Sequence, residues 1–135
     1  MFGDVSKLFL IRRYEFQSQR LLWLEARKFC ARQSGRRLAE ARSQEQFQAI
    51  SAFRRESLTF WLGGFDLVKE GDWRWSSDNS SIDLTRFFNN HEPNGGRIEN
   101  CLEFLNDGFD DRFCRSALPF LCESGAIGEG PVCSD

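Results

Sequence analysis

Large apolar side chains change their spacing several times along this chain, and each change marks an element. From Lys7 to Phe16 they are dense enough for a strand region. Leu22, Trp23, Ala26, Phe29 and Cys30 then recur at three- and four-residue intervals, the spacing of one helix face. Arg32 in the last turn and Gly35 just beyond it predict where that helix stops. Ser43-Gln44-Glu45-Gln46 predicts a second helix opening on a capping box, in which the serine and the glutamine three residues on satisfy each other's backbone N–H groups. Phe47, Ile50 and Phe53 supply its buried stripe.

After Glu56 the period drops to two. Leu58, Phe60 and Leu62 alternate with Thr59 and Trp61, a strand that Gly63-Gly64 is expected to end. Trp73 and Trp75 flank Arg74 in a second short strand, and these tryptophans together with Trp61 read as core. Between Ser76 and Asn100 no period holds. Asn79, Asn89, Asn90, Pro93, Asn94, Gly95 and Gly96 all favour turns, and a loop this long inside a compact domain usually carries function. Two strands close the pattern, Cys101–Leu105 and Leu118–Glu123. Two helices followed by strands predict an α+β fold, with the helices packed on antiparallel sheet beside a long irregular loop.

Composition narrows the function classes. A chain of 135 residues is read as one domain over 1–124, followed by a flexible Gly/Pro-rich tail over 125–135. Fourteen Phe and four Trp are enough for a substantial core. The net charge of −2 gives no bulk electrostatic case for nucleic acid. The arginine pairs Arg12-Arg13, Arg36-Arg37 and Arg54-Arg55 read as solvated faces. No apolar run approaches the roughly 20 residues of a membrane span, and Leu8–Ile11 is too short for a signal-peptide core.

The five cysteines, Cys30, Cys101, Cys114, Cys122 and Cys133, contain no CxxC. Four can pair and one is left over. In a secreted chain a leftover cysteine near a terminus suggests an intermolecular bridge, so Cys133 is expected to carry an interchain disulfide to a like or related chain, with a free or capped thiol as the alternative. The triplet Asn79-Ser80-Ser81 has the form of an N-glycosylation acceptor, which fits an extracellular protein.

Candidate chemistry concentrates late in the chain. Glu92, Asn94, Glu99, Asp110 and Asp111 offer hard oxygen donors that suit Ca²⁺, which accepts many such ligands in a flexible shell. With His91 the only histidine, a zinc-type cluster is absent from the sequence.

Several stretches, taken in order, resemble the C-type lectin-like domain family over roughly Phe9 to Ser124. They are Trp23-Leu-Glu-Ala26-Arg-Lys-Phe-Cys30, Gly35-Arg-Arg-Leu38-Ala39, Trp61-Leu62-Gly63-Gly64, Glu92-Pro93-Asn94 and the spacing of Cys101, Cys114 and Cys122. The resemblance implies a short-form domain with disulfides Cys30–Cys122 and Cys101–Cys114. It implies Ca²⁺ ligands at Glu92, Asn94, Glu99, Asp110 and Asp111, with Pro93 as a cis proline. It also implies that Glu92, Asn94, Glu99 and Asp110 meet a sugar; apart from the resemblance, Phe109 and His91 are candidate contacts for a substituent such as an acetamido group in a different sugar pose. The Glu-then-Asn order resembles the mannose/glucose/GlcNAc pattern, suited to equatorial 3- and 4-hydroxyls; N-acetylated hexosamines fit it too. The chain departs from the family at Phe109-Asp110-Asp111, where Trp-Asn-Asp is usual, so one amide donor becomes a carboxylate. Asp66 and Glu70 fall where family members place an auxiliary calcium site.

Three functions compete on this reading. The first is a secreted, Ca²⁺-dependent lectin that binds glycans on cell or microbial surfaces, acting in innate recognition or agglutination, with avidity from a Cys133-linked dimer. The second is a protein-binding domain of the same fold without sugar activity. The third is an enzyme with paired carboxylates, which lacks a nucleophile–base pair and is set aside.

Overall fold

The computed structural model describes residues 12–89, 92–93 and 100–125. Its strands are β1 (Arg12–Leu21), β2 (Arg36–Leu38), β3 (Thr59–Phe65), β4 (Arg74–Trp75), β5 (Asn100–Leu105), β6 (Gly108–Phe113) and β7 (Leu118–Gly125). They form one sheet in the order β1-β7-β3-β5-β6, with β2 also on β7 and β4 on β3. The pairings are antiparallel except that of β3 with β7, which meet in parallel through Trp61 and Phe120. The α+β expectation holds, with two α-helices among the described residues against a mixed sheet.

Helix α1 (Trp23–Ala31) turns Trp23, Ala26 and Cys30 into the core, the stripe its spacing predicts. The N–H of Leu22 donates to Glu25 Oε1 at 2.9 Å, satisfying a backbone group just ahead of the first turn. Helix α2 (Gln44–Ser51) buries Ile50, with Phe47 and Phe53 packed at the edge of the core. Ser43 caps it by accepting from the Gln46 N–H at 3.1 Å. The reciprocal half differs from expectation: Gln46 Oε1 accepts from Arg42, one residue earlier, at 2.7 Å. A 3-10 turn (Ala52–Arg55) carries the chain on to β3.

Three further expectations give way to the structure. The pair Gly63-Gly64 does not end β3 but lies inside it, because a Cβ on Gly64 would stand 2.8 Å from both Ile82 and Leu102. Residues 108–113, to which the sequence pattern assigns no strand, form β6. It pairs with β5 through the two-residue turn Asn106-Asp107, in which Asn106 takes φ 59. Arg12, Arg36 and Arg37 are not simply solvated. Arg36 donates to the Cys30 and Phe29 carbonyls and pairs with Glu15, while Arg37 binds Glu123 at 2.8 Å. Arg54, by contrast, is exposed and pairs with exposed Asp107.

Two disulfides tie this frame together, Cys30–Cys122 from α1 to β7 and Cys101–Cys114 across the β5–β6 pair. Closing loops of 92 and 13 residues contributes about 4–5 and about 3 kcal/mol in the chain-entropy account. All four cysteines are therefore used within the chain and none of them links a second copy; Cys133 lies outside the described residues. Trp61, Trp73 and Trp75 are core, as read. Among the described residues no helix is long and apolar enough to cross a membrane.

Candidate calcium and glycan site

The site is built where an irregular segment is laid against β6. The N–H of Phe109 donates to the Phe87 carbonyl at 2.7 Å, and the N–H of Asn89 returns to the Phe109 carbonyl at 2.9 Å. The Asn89 side chain donates to the Leu105 carbonyl at 3.1 Å, and the N–H of Glu92 to the Asn89 carbonyl at 3.0 Å. Gly108 permits this approach, since a Cβ there would stand 2.5 Å from the Phe87 carbonyl oxygen. Phe87 and Asn89 are thus joined by backbone hydrogen bonds to the strand that carries Asp110 and Asp111, and Glu92 is tied to Asn89.

That docking brings Glu92, Asp110 and Asp111 together. One carboxylate oxygen from each lies within 4.8 Å of the others. An oxygen of Glu92 and one of Asp111 are shut off from solvent, and the Glu92–Pro93 peptide is cis. Burial pushes the Glu92 carboxyl up to about 8, with further upward pressure from Asp111 and Asp110. Carboxylates gathered at this density favour a hard cation, and an all-oxygen set fits Ca²⁺ better than a soft metal.

Two more groups of acids adjoin it. Glu103 stands opposite Asp110 in the β5–β6 register and is only 1% exposed. It accepts from the Thr59 hydroxyl and from Arg112 at 3.3 Å, and burial pushes it up to about 7. Sequence reasoning missed Glu103. It sits in the apolar run Leu102-Glu103-Phe104, and a carboxylate buried between such neighbours was the available signal. On the other side, Asp66 is buried and accepts from the Gly71 N–H at 3.1 Å. Loss of solvent and the Asp66 charge raise Glu70, and the Asp111 charge reaches it too. Asp66 and Glu70 therefore form a second acidic patch within electrostatic reach of the first.

Not every predicted site residue takes part. Phe109 is wholly buried among Phe47, Trp75, Phe87 and Phe88, so its ring holds the site up from beneath and cannot reach a ligand. The aromatic sits on the inward face of β6, where packing decides its place. His91, Asn94 and Glu99 lie outside the described residues.

Comparison with known proteins bears on the family and the fold. The family description "Lectin C-type domain" matches residues 19–124. The chain is 31% identical over 117 residues to mouse C-type lectin domain family 4 member F, covering 82% of this chain and 21% of that protein. It is 26% identical over 115 residues to mouse CD209 antigen-like protein C, covering 84% and 64%. It therefore spans only part of these curated relatives. Among solved structures, the carbohydrate-recognition domain of cow CD23, determined in the presence of a GlcNAc2Man3 oligosaccharide, superposes with a TM-score of 0.74. That match is 28% identical and covers 86% of this chain and 89% of the other. The mouse scavenger receptor C-type lectin domain gives 0.75 at 23% identity, covering 84% and 88%, a likeness of fold. Fold and family are those of carbohydrate-binding, non-enzymatic domains. With a matching family description over most of its length and the disulfide frame in place, this chain belongs to the C-type lectin domain family.

Proposed function

We propose that the domain binds glycans through Ca²⁺ held by Glu92, Asp110 and Asp111, with Asn94 and Glu99 completing the set, and that it prefers mannose- and GlcNAc-type sugars. The observation that carries this reading is the convergence of the Glu92, Asp110 and Asp111 oxygens within 4.8 Å, on a segment anchored to β6 by backbone hydrogen bonds. Bound calcium supplies open coordination positions for two vicinal hydroxyls. The chain's own part is to orient them. Glu92 accepts a hydrogen bond from one hydroxyl and the Asn94 amide donates a hydrogen bond to another. Asp110 only accepts when ionised, so the sugar hydroxyl beside it must donate, the reverse of the role an asparagine would impose. Affinity per site is weak, as few groups touch a single sugar, and repeated sites on a cell or microbial surface would add avidity. Secretion, innate recognition and agglutination belong to this same reading.

The experiment is a glycan array read with calcium and with EDTA, together with calcorimetric Ca²⁺ titration of wild type and Glu92→Ala. Calcium-dependent signal on mannose or GlcNAc structures, lost in Glu92→Ala, supports the proposal. Calcium binding with a silent array transfers the domain to the protein-binding reading, and no calcium binding removes the proposal.

A further inference from the structure

The segment after β4 carries a second chemical feature, independent of the acidic site. We propose that Asn79 is an N-linked glycosylation site, taking an oligosaccharide during passage through the secretory pathway. Asn79-Ser80-Ser81 is the only Asn-x-Ser/Thr triplet in the chain, and its middle residue is not proline.

The local structure suits a substituent on this side chain. Asn79 is exposed at a turn in the left-handed conformation, φ 64. Its main chain is engaged on both sides: its N–H donates to the Trp75 carbonyl at 2.8 Å, and its carbonyl accepts from Arg74 at 3.0 Å. The turn is anchored further by Asp78, which accepts from Arg42 and from Ser80. None of these bonds uses the Asn79 amide side chain, so a group joined to Nδ2 disturbs nothing that holds the turn. Ser81, whose hydroxyl the acceptor triplet requires, is exposed as well. The two disulfides place the fold in the oxidising chemistry of the same compartment.

The transfer uses an oligosaccharide carried on a polyprenyl pyrophosphate. A bond forms between Asn79 Nδ2 and the anomeric carbon while the bond from that carbon to the pyrophosphate oxygen breaks. The pyrophosphate leaves with the electron pair and Nδ2 gives up one proton. The attached glycan would stand at the rim of a cavity of about 300 Å³ that Ser80, Ser81, Arg86 and Phe87 help to line.

The test is secretion of the full chain from a eukaryotic cell line behind a cleavable signal, followed by peptide N-glycosidase. Wild type should migrate faster after treatment, and its Asn79 peptide should be recovered as aspartate by mass spectrometry. Asn79→Gln and Ser81→Ala should remove the shift, and Ser81→Thr should keep it. Since the Asn79 side chain makes none of the bonds described, Asn79→Gln should fold and be secreted. A secreted, disulfide-bonded wild type that carries unmodified asparagine at 79 overturns the proposal, whatever the glycan array reports.

Discussion

Two regions of this domain crowd carboxylates together and resolve the crowding in different ways. At β7, Glu123 and its neighbour Glu40 are each 1% exposed, and the chain supplies its own positive charge. Arg37 lies 2.8 Å from Glu123 and 3.6 Å from Glu40, and Arg42 joins Glu40 to Asp78. Burial raises Glu123 and Arg37 draws it back. Beside β6, the groups that set the titration of Glu92 are themselves carboxylates, Asp111 and Asp110, and they add to burial instead of opposing it. An internal ion-pair network is complete when the chain has folded. On the proposed function, the cluster of acids beside β6 takes its compensating charge from a cation that arrives from outside.

The largest effect expected from breaking this contrast is at the acidic cluster. Asp111→Ala should weaken Ca²⁺ by about 100-fold or more, since it removes a charged ligand. Titration calorimetry reads it, and an affinity within a few fold of wild type would separate Asp111 from the ion. Next comes the internal network. Arg37→Met leaves Glu123 buried beside an apolar stem and should cost about 2 kcal/mol in urea unfolding, less than a fully buried pair because Arg37 is partly solvated. The companion change Glu123→Gln should return part of that loss in a double-mutant cycle.

The pH dependence sharpens the comparison further. Glu92 moves on folding from an ordinary 4.5 to about 8, so the folded state holds the proton more tightly. Its contribution favours the fold below about 4.5 and is lost as the pH rises through 8. In EDTA the melting temperature of wild type should therefore fall over that window relative to Glu92→Gln. The stabilisation gained on adding calcium should grow over the same window, because the ion requires the ionised carboxylates. Parallel profiles for wild type and Glu92→Gln would remove Glu92 from the cluster's charge balance. The smallest effect is expected from Asp110→Asn. It restores an amide donor and removes one negative charge, so Ca²⁺ affinity should fall by about 3- to 10-fold while sugar binding at saturating calcium improves. Unchanged affinity for both would show that Asp110 faces Glu103 and not the ligand.

Much of this was legible in the sequence because local rules and burial agreed. The stripe Trp23, Ala26 and Cys30 has one helical reading, and Ser43 caps α2 as its position predicts. The errors fall where packing overrides local preference. Glycine pairs are strand breakers by propensity, yet Gly64 remains in β3 because Ile82 and Leu102 close over it. Phe109 is a candidate sugar contact on the linear reading, but strand alternation turns adjacent residues to opposite faces and sends the ring into the core. Arg36 and Arg37 look like surface charge in a linear reading, and only their long-range partners show them to be structural.

The sequence by itself therefore determined the family, the cysteine framework and the inventory of oxygen donors. These depend on residue identity and spacing, which the chain carries in one dimension. Tertiary structure alone decided which donors meet. Glu92 and Asp110 are joined by backbone hydrogen bonds running through Phe87, Asn89 and Phe109, and Glu103 faces Asp110 only because β5 and β6 pair in one register. The field each carboxylate feels comes from neighbours distant in sequence. For that reason the surroundings of a negative charge here, arginine at Glu123 or other carboxylates at Glu92, are fixed by the fold.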